Sequence, residues 1–266
     1  MKKWSLLAGL AAAAALLMPG AAVLAQDEGD TEDGAPIIPV EIYACSYHEG
    51  KGSTELDGWV EKWTAWAEGN LDPYSAWTLT PFYYGAGQDF DFLWLGVSPD
   101  ATTLGRANDK WLAQGGALAA EFEAFAHCDA HGNFATMNIK RPPENDAKTF
   151  VLNFSDCSAK EGKTFDDVYP ALRAWSEYRT GHGSEAGMWV MWPAYGGGEA
   201  DFEFKFATSY RNYEALGNDY DQYGAEGYKK ADELFMGLLD CDEARSYVAA
   251  ERWDGWPEVV CDARGD

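Results

Sequence analysis

Histidine and basic side chains are scarce in this sequence: 266 residues hold four His, and 20 Lys plus Arg stand against 44 Asp plus Glu. The formal charge of −24 repels phosphate backbones and anionic lipid, which argues against nucleic acid as a partner. Cysteine is sparse too. Five are present without a Cys-x-x-Cys, so neither a zinc ribbon nor a thioredoxin-type redox pair is supported. A Gly-x-Ser-x-Gly nucleophile elbow is missing. So is a phosphate-binding loop: Glu49-Gly50-Lys51 and Glu161-Gly162-Lys163 resemble its end, but Cys45 and Cys157 stand where its first glycine belongs. No apolar run is long enough to favour a permanent membrane span.

What is there begins with an export signal. Lys2 and Lys3 precede the apolar run Leu6 to Leu17, and Val23-Leu24-Ala25 offers a small-residue cleavage site, so residues 1–25 read as a signal peptide. Its removal takes two lysines away and leaves −24 − 2 = −26. Residues 26–37 are acidic and nearly devoid of apolar side chains until their end, the composition of a disordered linker. An exported protein, periplasmic or secreted, is the expectation, and its cysteines then read as disulfide partners.

The chain is also duplicated. Cys45-Ser-Tyr-His-Glu-Gly-Lys51 returns as Cys157-Ser-Ala-Lys-Glu-Gly-Lys163, and the offset of 157 − 45 = 112 persists without a gap for about seventy positions. Trp63 falls on Trp175, Trp66 on Tyr178, Trp77 on Trp189 and Trp111 on Tyr223. With one insertion, Cys128 falls on Cys241. A period this long means two copies of one supersecondary unit. They occupy residues 38–143 and 148–256, followed by a tail, 257–266, that carries Cys261.

Each copy predicts the same order of elements. In the first, 38–45 is a strand, and 53–69 a helix with Trp59, Trp63 and Trp66 on one stripe. Thr54 with Asp57, and Thr164 with Asp167, suggest capping boxes. Residues 77–83 and 89–95 form a hairpin, with Pro81 marking an edge or a bulge and Phe90, Phe92 and Trp94 sharing one face. A helical stretch broken at Gly115-Gly116 follows, then a strand over 133–140. Strand, helix, strand, strand, helix, strand is the ferredoxin-like order. The fold class is α+β: two tandem βαββαβ repeats packed as an intramolecular α/β barrel.

With this order and duplication the chain resembles the dimeric α/β-barrel superfamily in its fused two-repeat form. In that family's sheet the first and last strands of a repeat are antiparallel neighbours, which implies Cys45–Cys128 and Cys157–Cys241 bridges. The resemblance also implies a ligand cleft between sheet and helices, and in some two-repeat members a haem held through a histidine. His48, His127, His131 and His182 are the only candidates, and none falls on a histidine in the other copy.

Ligand-binding candidates are Glu49, Lys51, Glu161 and Lys163, expected at one mouth of the barrel, with Trp63 and Trp175 as aromatic positions. The rings of Trp59, Trp63, Trp66, Trp77, Trp94, Trp175, Trp189 and Phe206 are expected to fill the space between helices and sheet. Asp89, Asp91, Asp201 and Glu203 lie on what reads as the third strand of each copy, and their convergence inside a barrel would suit Ca²⁺. No cofactor is expected; haem and Ca²⁺ are the alternatives. The functional expectation is a monomeric pseudo-dimer that acts as a small-ligand-binding or structural module. An oxygenase-like or haem-dependent enzyme acting on a small aromatic or oxidised substrate is the alternative.

Overall fold

The computed structural model describes residues 36–71, 73–143, 147–196, 198 and 201–255. The expected signal peptide, residues 26–35 of the expected linker, Trp256, and the tail with Cys261 lie outside the described residues. Ile37, placed in the linker from sequence, is the first residue of a strand.

The first repeat runs β1 (Ile37–Tyr47), α1 (Ser53–Ala67), β2 (Ser75–Tyr83), β3 (Phe92–Val97), α2 (Ala101–Gln114), α3 (Gly116–Glu123) and β4 (Ala126–Lys140). The second runs β5 (Thr149–Ala159), α4 (Phe165–Gly181), β6 (Gly187–Tyr195), β7 (Phe204–Tyr210) and α5 (Tyr213–Gln222). A π turn (Tyr223–Gly227), α6 (Tyr228–Phe235), β8 (Leu239–Cys241) and β9 (Arg245–Asp254) complete it.

Antiparallel pairing runs β7-β6-β4-β1-β3-β2-β9-β5, and β5 returns to β7, so eight strands close into a barrel with β8 added beside β5. The repeats join at two seams, β4 with β6 and β2 with β9. Strand alternation then sorts side chains. One apolar cluster takes Val40, Leu79, Leu93, Leu95, Val97 and Phe134 from the first repeat, and Leu152, Phe154, Met191, Ala207, Tyr247 and Ala249 from the second. An eight-stranded barrel is just wide enough for side chains to fill, and these twelve supply its interior. Glu41, Tyr43 and Cys45 alternate with the inward Val40, Ile42 and Ala44, as Asn153, Ser155 and Cys157 do with Leu152 and Phe154. They therefore face the helices packed outside.

Several expectations shift. Trp77 and Trp189 pack against the barrel interior, not under helices. Phe90 joins them there, whereas Phe92 and Trp94 face α1, because β3 starts only at Phe92. Pro81 marks a bulge, between Pro81 and Tyr83, where β2 pairs with β9 alone, its ladder with β3 having ended at Leu79. β4 begins seven residues before the expected Asn133. Its start alternates only the small Ala126, Cys128 and Ala130 with polar residues, and it pairs with the end of β1. The first helix is capped by Gly52, whose N–H donates to the Glu55 carboxylate at 3.0 Å, and not by Thr54 with Asp57. In the second repeat the Thr164 N–H donates to Asp167 at 3.0 Å, as expected.

Both bridges are formed. Cys45 stands opposite Cys128 on the β1–β4 ladder, with Cα atoms 3.9 Å apart. Cys157 stands opposite Cys241 on the β5–β8 ladder at 4.1 Å.

Candidate functional site

The repeated Glu-Gly-Lys turns follow β1 and β5. Gly50 and Gly162 take φ of 76° and 75°, a left-handed conformation that favours glycine, which explains why the turn is repeated with its glycine intact. β1 and β5 are parallel to one another and lie four strands apart around the ring. The turns therefore sit at the same end of the barrel on opposite sides of it. Glu49, Lys51, Glu161 and Lys163 are exposed, and Lys51 pairs with Glu55 at 3.5 Å.

The carboxylates proposed for a cation do not converge. Asp91 accepts from the Tyr47 N–H at 2.7 Å, and Glu203 from the Ala159 N–H at 3.1 Å. Each thus secures the end of the first strand of its own repeat, because the third strand starts after it rather than through it. Among the described residues no three His, Cys, Asp or Glu side chains gather as a metal site.

The clefts between helices and sheet differ more than the duplicated sequence suggests. In the first repeat the cleft is filled. Trp63 meets Trp94 edge-on with ring centroids 4.7 Å apart, and Trp59 meets Trp94 at 6.0 Å. Tyr74 reaches beneath them, 3 % exposed, and donates from its hydroxyl to Glu41 at 2.8 Å. Trp94 donates to the same hydroxyl at 3.2 Å, and His131 lies 3.2 Å from the other Glu41 oxygen. Tyr43 stacks on His131 with centroids 3.6 Å apart. Burial, aided by Glu41, pushes the Tyr74 pKa well above its ordinary value and keeps the hydroxyl a donor. Gly96 completes the fit, since a Cβ there would overlap the Tyr74 hydroxyl.

In the second repeat the corresponding positions lose bulk. Ala171 stands for Trp59, Ala186 for Tyr74, Ser155 for Tyr43, Phe206 for Trp94 and, across the insertion, Ala244 for His131. β4 is continuous, but its counterpart breaks between β8 and β9, at residues 242–244. Ser155, Phe206 and Ala244 are among the residues that line a cavity of about 250 Å³, whereas Ala171 and Ala186 are buried outside its lining. Trp175, Tyr178, Phe206, Tyr220 and Tyr223 contribute to its walls, with Leu216 and Ala244.

Its polar lining is new to this repeat. Arg179 and Asp219 replace Ala67 and Ala107, and Tyr210 replaces Ser98. Arg179 donates to the Asp219 carboxylate and, at 2.8 Å, to the Tyr210 hydroxyl. Ser184 donates to the same Asp219 oxygen at 2.8 Å. Burial works against the Arg179 charge, but Tyr210 and Asp219 outweigh it and its pKa is raised. Asn153 occupies the position of Glu41. The two partners that Glu41 has, Tyr74 and His131, are alanines here, and the Asn153 amide oxygen is buried without a hydrogen-bond donor. A buried acceptor left unpaired is costly, so in native structures it calls for an explanation.

Haem does not fit this cleft. Of the side chains that serve as axial ligands the lining has no His, Cys or Met, and one of its tyrosines, Tyr210, is already held by Arg179. His182 is exposed, with Nδ1 2.7 Å from the Tyr178 carbonyl. A volume of about 250 Å³ also lies below the roughly 300–1,000 Å³ of pockets that enclose drug-sized ligands, and a tetrapyrrole needs no less.

Of the ligand-binding positions expected from sequence, Trp175 lines the cavity, while Trp63 belongs to the filled cleft. Asn153, Arg179, Tyr210 and Asp219 were missed. The signal that reveals them is where the copies disagree in size and charge, not where they repeat.

No family model matches the chain, and no curated protein matches it either. Solved structures do. A protein assigned as a chlorite dismutase superposes with a TM-score of 0.53 at 12% identity, over 82% of this chain and 97% of its own. A protein from Fusobacterium nucleatum assigned as a monooxygenase gives 0.52 at 10% identity, over 83% and 94%. A mutant chlorite dismutase from Candidatus Nitrospira defluvii gives 0.51 at 7% identity, over 85% and 96%. At such identities the likeness is one of architecture. The chain carries the dimeric α/β-barrel fold in its fused two-repeat form.

Proposed function

We propose that this protein binds one small, largely apolar aromatic molecule in the cleft of its second repeat, between the outer face of β5 and β7 and helices α4 and α5. The observation that carries this reading is the unequal filling of two equivalent clefts. Where the first repeat places Tyr43, Trp94 and His131, the second has Ser155, Phe206 and Ala244, and about 250 Å³ is open beside them. An apolar cavity of roughly 150 Å³ takes up benzene, so there is room here for a ring with substituents. Aromatic walls suit such a ligand. The exposed Glu49, Lys51, Glu161 and Lys163 then serve the turns and the surface charge. Closure of the barrel within one chain supports a monomer, and two disulfides are compatible with export.

The test refills the cleft as the first repeat fills its own, by combining Ser155→Tyr with Ala244→His, the residues found at 43 and 131. Native mass spectrometry of the protein from its own source should show one small molecule per chain, absent from the double variant although the fold persists. An empty native protein that takes up no aromatic compound would overturn the reading.

A second reading, an oxygenase-like enzyme acting on the bound aromatic, draws on the solved structures described as monooxygenase and chlorite dismutase. Asp219 is the carboxylate in the lining, and Arg179 and Ser184 already engage it. Conversion of a bound aromatic in air, beyond an uncatalysed control, would favour this reading.

A further inference from the structure

We infer that the cleft of the second repeat selects aromatic molecules bearing a hydrogen-bond donor, of the phenol or indole type, and that Asn153 is the residue that selects them. The inference rests on the proposed binding cleft and adds the chemistry of its occupant. Asn153 lines the cavity although it is only 8 % exposed, and its amide oxygen is buried with no donor, so an occupant engages that oxygen once the amide turns about χ2 toward the cavity. The first repeat shows what this position requires: Glu41 receives a hydroxyl from Tyr74 and a ring nitrogen from His131 on its two oxygens. Those donors are themselves aromatic, one a phenol and one an imidazole. With alanine at 186 and 244, both are gone from the second repeat, and Ala244 is among the residues that line the cavity. A ligand phenol or indole N–H would restore to Asn153 the kind of partner that Glu41 finds within the protein.

The other polar groups agree with a donor-bearing and uncharged occupant. Asp219 adds a second acceptor to the lining, and its charge is balanced by Arg179. An anionic ligand would meet Asp219, and a cationic one would meet Arg179. An aromatic ring lacking a donor would leave the Asn153 oxygen as it is. A site built around a buried acceptor discriminates against analogues that cannot satisfy it.

Isothermal titration with matched probes tests this, phenol against toluene and indole against indene, on the wild-type chain and on Asn153→Leu. The expected result is about a tenfold preference for phenol and indole, lost in Asn153→Leu. Unliganded Asn153→Leu should melt at or above the wild-type temperature, because leucine removes an unpaired acceptor. Equal binding of the paired probes would overturn the inference and leave the cleft standing as a binding site. Binding of none of the four would overturn both. A preference that survives Asn153→Leu, or a marked drop in that variant's melting temperature, would show that the amide has another task.

Discussion

The two clefts of this molecule start from one ancestral design and solve opposite problems. Both have a helix lying on the outer face of a sheet, and a disulfide fastens each at the same register. In the first, the three buried indoles of Trp59, Trp63 and Trp94, with Tyr74 and a Glu41–His131 pair, consume the space, and Gly96 has no side chain so that Tyr74 can enter. In the second, bulk gives way to alanine and serine, and charge arrives as Arg179 and Asp219. Aromatic rings border both clefts, so their presence alone does not distinguish the open one. The smaller side chains at 155, 206 and 244 do, because a ring that packs against another ring fills the room a ligand would need.

The largest effect should be shared. Removing either bridge, by Cys45→Ala with Cys128→Ala or by Cys157→Ala with Cys241→Ala, frees a loop with a sequence separation of 83 or 84 residues. Each pair should lose about 4 kcal/mol in denaturant unfolding, since the chain-entropy contribution depends on loop length and not on the cleft above it. A large inequality between the pairs would mean that the repeats differ in their frames as well as in their fillings.

Next, the comparison should break apart at Trp63 and Trp175. Trp63 is 4 % exposed and packed on Trp94, so Trp63→Ala should cost about 3–5 kcal/mol. Trp175 is only half-buried and borders open space, and Trp175→Ala should cost about 1–2 kcal/mol while weakening ligand uptake. Equal costs in thermal or chemical unfolding would contradict the filled-versus-open distinction.

A smaller effect sharpens it. Gly96→Thr installs the residue found at 208 in the second repeat, where no tyrosine competes for the space. Expelling the Tyr74 hydroxyl from Glu41 should cost about 1–3 kcal/mol. The change should leave uptake by the second cleft intact, as measured by the same titrations. Smallest of all, Lys51→Ala and Lys163→Ala should each change stability by less than about 0.5 kcal/mol, as exposed substitutions usually do. A larger loss at either would place that lysine in a role beyond the turn.

Much of the frame was legible in the sequence. The duplication set the element order, and the order implied which cysteines face each other. What escaped prediction was governed by pairing across distant strands. Ala126 to Gly132 alternate only small residues, Ala126, Cys128 and Ala130, with polar ones, a weak strand signal, and they pair along β1 with a disulfide as a pin. Asp91 and Glu203 look like strand carboxylates, yet backbone N–H groups of neighbouring strands claim them before β3 and β7 begin. The site was hidden for a different reason. Reading the repeat for what it preserves drew attention to the Glu-Gly-Lys turns, where a left-handed glycine must be kept for geometry. The cleft is written in Tyr43 against Ser155, Trp94 against Phe206 and Glu41 against Asn153, differences whose meaning depends on which face of the strand each residue occupies.

The central claim, one filled cleft and one open, is tested most directly by a crystal structure determined under xenon pressure. Xenon enters apolar cavities without needing a matching functional group. The account predicts xenon in the second repeat among Trp175, Phe206 and Leu216, and none between Trp59 and Trp94 or inside the barrel. Xenon in the first cleft or the barrel interior, with none beside Trp175, would contradict it.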